Sequence, residues 1–275
     1  MQFINDTTTN ANTVTGPAFV VGTDAPMAAV TSFSVQIQSI KATDSTGNSV
    51  SLLSGTPTVD FARYNGLQTL LDMNDVPVGT YNSISITLGA GTLGYLDTPA
   101  GAAPTIQTEA ANITQPTFTA TLATPLVIAQ AATPVGLRVD FDLSKSIGVD
   151  STTGQITGDV TSVFNISVVK NTDTGAHIDE MIASVVSVNT AGNSFVVQGP
   201  HGEQFTVNVS STTDWDNNAT LASLTASSIV EVAGLLDKAD QTLNADEVDL
   251  VSQNRVLCQR RRHLRHPCNR CGHQL

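Results

Sequence analysis

The sequence predicts an all-β protein of two modules, an immunoglobulin- or transthyretin-like sandwich followed by a small barrel. Three observations predict it. Apolar residues alternate with polar ones over short runs, the period of a half-buried strand. Only 13% of the 275 residues are charged, and β-branched and hydroxyl residues are plentiful, which suits sheets with uncharged polar outer faces. Beyond residue 178, strands of five to eight residues are separated by turns every ~8–12 residues, as in a small barrel.

The clearest stretch runs from Val76 to Leu88. Pro77 presets φ and Gly79 suits a tight turn. Ile84, Ile86 and Leu88 then alternate with Ser83, Ser85 and Thr87, which predicts a central strand. Before it, Ala18–Val21 is a short apolar strand that ends in the turn Gly22-Thr23-Asp24-Ala25-Pro26, since Pro26 forbids helix at Ala25. Phe33, Val35 and Ile37 mark a second strand, and Asp44–Asn48 a turn leading into a hairpin. Leu67–Met73 fits either a helical turn or a bent strand. Gly89–Pro116 is rich in Gly, Ala, Thr and Pro and reads as a long, weakly structured loop with room for an edge strand. Phe118–Ile128, Leu137–Leu143 and Gly158–Lys170 read as the remaining strands of the first module. The predicted organisation is a disordered linker over 1–17, the sandwich over 18–170, a linker over 171–177, the barrel over 178–252 and a basic tail over 253–275.

Six of the 12 Lys and Arg lie beyond residue 254, with none of the 24 acids, so residues 1–254 hold 6 basic against 24 acidic side chains, net −18. Such a body repels nucleic acid and anionic membranes. All three cysteines, Cys258, Cys268 and Cys271, lie in the same terminal stretch, so the body has no disulfide framework. No apolar run reaches the ~18 residues of a membrane helix. The start carries no basic-then-apolar export signal.

Two resemblances sharpen this reading. Residues 18–170 resemble the bacterial domain of unknown function 4382, on Thr23-Asp24-Ala25-Pro26, Val35–Ile40, and Leu70-Leu71 ahead of Val76–Tyr81. Residues 178–252 are similar to the domain of unknown function 5666, on Val185–Val188, Phe195–Val197, Phe205–Val207, Val230–Gly234 and Leu243–Val248. That second match departs from its pattern at Ala183, a position often held by Gly. The resemblances imply an exported or lipid-anchored bacterial envelope protein whose N-terminal signal or anchor is missing here. They imply no chemistry.

The candidate site residues have competing readings. Asp140 and Asp142 share a strand face and suit calcium or acid–base work, but the same pattern describes a solvent face with Arg138. Asp246 and Asp249 lie in an acidic run without calcium-loop spacing. Asp24 serves a ligand or caps its turn. Trp215 stacks on a sugar or fills a core, and Tyr81 joins a binding platform or covers the sheet edge. His177 and His201 lack a nucleophile motif. Gly89-x-Gly-x-x-Gly94 has no following helix and is rejected as a dinucleotide loop. In the tail, Cys258, Cys268, Cys271 and His273 could ligate one zinc, although the abrupt change of composition at Arg255 is that of a frameshifted gene end.

The expectation is therefore a non-catalytic, exported envelope protein that binds a glycan or a protein. It implies no cofactor beyond possible calcium, no nucleic acid, and membrane attachment only through a missing anchor. A purely structural or adhesive protein is the alternative, and a carboxylate-dependent hydrolase the remote one.

Overall fold

The computed structural model describes residues 13–25, 27–64, 67–98, 103–130, 134–170, 176–198, 204–216, 219–236 and 242–251. The expected features at residues 1–12, Pro26, 171–175, His201 and the Cys/His tail lie outside them.

The first module contains β1 (Thr15–Ala25), β2 (Val30–Asp44), β3 (Ser49–Ser51), β4 (Thr58–Asp60), β5 (Thr69–Pro77), β6 (Gly79–Asp97) and β7 (Thr105–Ala110). It continues with β8 (Asn112–Gln115), β9 (Thr117–Ile128), β10 (Val135–Asp142), a single helical turn α1 (Leu143–Ser146), β11 (Ile147–Val149), β12 (Ile156–Thr161) and β13 (Phe164–Lys170). The second module contains β14 (His177–Asn189), β15 (Ser194–Gln198), β16 (Gln204–Asn208), β17 (Asp214–Asp216), β18 (Ile229–Leu236) and β19 (Thr242–Leu250).

The protein is all-β, as its alternation predicts. An inner sheet of order β13-β10-β1-β5 faces an outer sheet built on β2 and β6. Their shared core includes Phe33, Val35, Ile37, Ile84, Ile86 and Phe141. Phe141 stacks on Phe33 at 5.0 Å and on Phe61 at 5.2 Å, and meets Phe164 edge-on at 4.8 Å. In the second module β16-β15-β14-β18-β19 closes on itself through β16 and β19, a five-stranded barrel with β17 beside β19.

β1 is the centre of the whole molecule. Its residues alternate between two cores. Ala18 and Val20 enter the sandwich core, while Phe19 and Val21 enter a second core with Ile178, Val185 and Val232 of the barrel. Three layers therefore stack as outer sheet, inner sheet and barrel. Polar bonds fasten the seam. Arg63 pairs with Glu180, the Gln68 amide donates to Asp179 at 2.8 Å, and Gln68 Nε2 donates to the His177 carbonyl at 3.2 Å.

Several expectations need correction. β1 runs through Asp24 to Ala25 rather than ending in a turn at Gly22, and it begins at Thr15, inside the expected linker. It pairs in parallel with β10, a partner over a hundred residues away that local sequence does not show. The described residues of Gly89–Pro116 are mainly strand rather than loop, and β7 is the edge strand the composition left room for. β6 continues to Asp97, and β7 and β8 follow. That arm is exposed on both faces of β7, so it lacks the apolar alternation that marks a strand. Thr69–Pro77 is a strand with a bulge near Leu71. Ala176 is fully buried and His177 opens β14, so the expected linker is structured at its end.

Candidate functional site

The parallel pairing of β1 and β10 gathers three residues that the sequence places far apart. Thr23 stands opposite Asp140, Asp24 opposite Phe141, and Ala25 opposite Asp142. Asp24 is 5% exposed, and neither carboxylate oxygen has a hydrogen-bond partner. Burial pushes its carboxyl up to about 7. The Leu143 amide opposes that shift, and the charges of Asp140, Asp142 and Asp60 add to it.

Asp142 is equally buried but fully engaged. Its Oδ1 accepts from the Ser144 hydroxyl at 2.6 Å and the Lys145 amide at 3.1 Å, and Lys145 Nζ donates to Oδ2 at 2.6 Å. Burial alone would raise its carboxyl, but these bonds outweigh it and hold the group below the usual carboxylate range. Asp140 Oδ2 accepts from Asn165 at 3.4 Å, while its Oδ1 is buried without a partner. The face of β10 expected to meet solvent through Arg138 and Asp140 belongs instead to the side of the inner sheet that meets the barrel. Two neighbouring carboxyls, one pushed up and one held down, are the pattern of an acid–base pair. Here both lie under the surface.

A second acidic group forms on the barrel. Asp216 stands opposite Asp249, and Glu247 lies two residues before Asp249 on the same face. Their carboxylate oxygens lie within 4.8 Å of one another. These are the described residues that could hold a cation. The sequence singled out the acidic run that holds Glu247 and Asp249 but missed Asp216, because only the parallel pairing of β17 with β19 makes it their neighbour. Asp246 points elsewhere, to His177 Nε2 at 3.0 Å. Asp179 lies 3.4 Å from the other ring nitrogen of His177. Hydrogen bonds accepted by Asp179 and then Asp246 raise the His177 value above its ordinary one, against burial.

The aromatic candidates serve packing. Tyr81 is 3% exposed, so its ring has no free face, and its hydroxyl donates to the Pro77 carbonyl at 2.7 Å across the turn. Trp215 packs partly buried against the barrel core, and Tyr64 and Tyr95 against the sandwich core.

The outer sheet offers a different surface. Strand register aligns its outward residues in rows: Ser49, Thr43, Ser83 and Thr121; Ser51, Lys41, Ser85 and Thr119; Ser39, Thr87 and Thr117. Thr43 and Ser49 hydroxyls lie 2.7 Å apart, and those of Thr87 and Thr117 3.3 Å. Lys41 is the one charged residue in these rows. The alternation of each strand is visible in the sequence, but the rows exist only through register.

Fold and surface define a β-sandwich fused to a barrel. The chain belongs to the family of the domain of unknown function DUF4382, whose profile matches residues 16–157. No curated protein and no solved structure matches it.

Proposed function

We propose that this is a non-catalytic, exported protein of the bacterial envelope that lies against a neutral glycan through the hydroxyl rows of its outer sheet. The carrying observation is the contrast between that face and the rest. Eleven aligned residues include one charge, on a body whose residues 1–254 carry net −18. An aligned array of donors and acceptors exchanges bonds with sugar hydroxyls without desolvating charge. The non-catalytic reading is supported by the burial of Asp24 and Asp142, which closes that carboxyl pair to a substrate. The cysteine-free body supports export, and the family resemblance supports an envelope location. That the barrel belongs with the domain of unknown function 5666 is part of this proposal and rests on its sequence resemblance alone.

The test is co-sedimentation of the purified protein with insoluble peptidoglycan, chitin and cellulose. Ser85→Glu with Thr119→Glu should abolish pelleting with at least one of them while leaving the thermal midpoint nearly unchanged. Pelleting that is absent throughout, or unaffected by those charges, overturns the reading.

A protein partner is the second reading, favoured by the β6–β7 hairpin. All six residues of β7 are exposed, and Leu96 stands opposite the exposed Ile106. Such an edge suits addition of a partner strand.

A further inference from the structure

We propose that Asp24 is a pH-operated latch, seating the end of β1 against β10 and the Leu143 turn while it carries a proton and releasing that end when it ionises.

The geometry supports the latch independently of titration. Asp24 lies one residue from the end of β1, opposite Phe141, the ring that joins Phe33, Phe61 and Phe164. It is a carboxyl at the rim of an aromatic core. Both of its oxygens are buried without a partner. An ionised carboxylate in that position has neither solvent nor a counter-ion. The Leu143 amide favours the ionised form, but burial outweighs it, and the charged groups that act on Asp24 from the packed elements are all carboxylates. β10 brings Asp140 and Asp142, and β4 brings Asp60, whose Oδ1 already accepts from the Phe33 amide at 2.8 Å. Lys145, on the turn that follows β10, is engaged by Asp142. Neutral Asp24 removes the repulsion and halves the desolvation problem. Ionised Asp24 can be hydrated only if the segment Thr23–Ala25 lifts, which also breaks the bond from the Thr23 hydroxyl to the Tyr64 carbonyl.

The sign is fixed by the direction of the shift. The folded carboxyl is pushed up from 3.8 to about 7. Stability from this group is fully present below pH 3.8 and is lost as pH rises through about 7. Asp44, Asp142 and Asp150 are shifted the other way, so the raw pH profile of the protein mixes opposing effects. The comparison that isolates the latch is wild type against Asp24→Asn, which keeps the shape and cannot ionise.

The experiment is urea unfolding of the full chain at intervals from pH 4 to pH 9, with and without calcium, for both proteins. The ratio of their folding constants should fall by up to roughly 10³-fold across that range, following the shift in the carboxyl. Amide exchange at Thr23–Ala25 and Leu143–Ser146, corrected for its intrinsic pH dependence, should accelerate over the same interval in wild type alone. A ratio that stays flat overturns the latch. So does stabilisation by calcium that wild type shows and Asp24→Asn lacks, because Asp24 would then hold a cation rather than a proton. If Asp24→Asn does not fold, carboxyl-carbon NMR titration of wild type decides. An Asp24 signal that titrates near neutrality supports the latch, and one that titrates near 4 overturns it.

Discussion

The ring of Phe19 fills the space that any side chain at position 136 would need. A methyl group placed on Gly136 would run into the Cε2, Cζ and Cδ2 atoms of Phe19. β1 and β10 pair in register at these two residues, and Phe19 belongs to the core shared with the barrel. The glycine therefore shapes the seam between the modules. Gly136→Ala should cost about 1–3 kcal/mol through overpacking. Phe19→Ala should cost about 3–5 kcal/mol. Combined, they should cost clearly less than their sum, because the smaller residue 19 accommodates the methyl. Denaturant unfolding of the three variants checks this.

The seam also carries charge. Arg63 and Glu180 pair across it with side chains 30% and 12% exposed. Arg63→Ala leaves Glu180 half-desolvated and should cost about 1–3 kcal/mol. Adding Glu180→Gln should recover part of that loss, since it removes the stranded charge. Thermal unfolding of the single and double variants reads the difference.

Asp142 fastens α1 to the end of β10. Asp142→Ala should cost about 0.5–2 kcal/mol near neutral pH, the usual loss for an N-cap. Its carboxyl is held below the ordinary range, so its contribution is present above the unfolded value and is lost as pH falls through the lowered folded value. The difference between wild type and Asp142→Ala should therefore shrink in acid. Midpoints measured at pH 7 and pH 2.5 check the trend, which is opposite to that at Asp24.

Tyr81 closes the turn that begins at Pro77. Tyr81→Phe keeps the buried ring and removes the hydroxyl bond to the Pro77 carbonyl. The expected cost is about 0.5–1.5 kcal/mol. Glycan co-sedimentation should be unaffected, because the ring lies on the inner side of the sheet.

Much of the fold was legible because strands declare themselves locally. Phe33, Val35 and Ile37, or Ile84, Ile86 and Leu88, alternate because one face is buried and the other is not. β1 broke that rule. Buried on both faces, it shows Ala18–Val21 as a plain apolar run and hides its continuation through Gly22, Thr23 and Asp24. β7 broke it in the opposite way. Exposed on both faces, it has no apolar face to alternate with. The candidate site was legible as residues but not as an arrangement. Asp24, Asp140 and Asp142 were each visible, and only a parallel pairing across more than a hundred residues makes them neighbours. Glu247 and Asp249 share a face by their spacing on β19, but Asp216 joins them only through the pairing of β17 with β19, a relation that no local spacing encodes.

The two-faced burial of β1 has a consequence for how the chain matures. β1 precedes in the chain both β10, its partner on one side, and the barrel that covers its second face, each by more than a hundred residues. Contacts so distant in sequence make collapse slow. Until β19 is complete, Phe19, Val21, Leu70 and Met73 remain a naked apolar surface on a half-made product. A chain truncated after Lys170 should thus be a sticky, chaperone-dependent polypeptide rather than a free-standing domain.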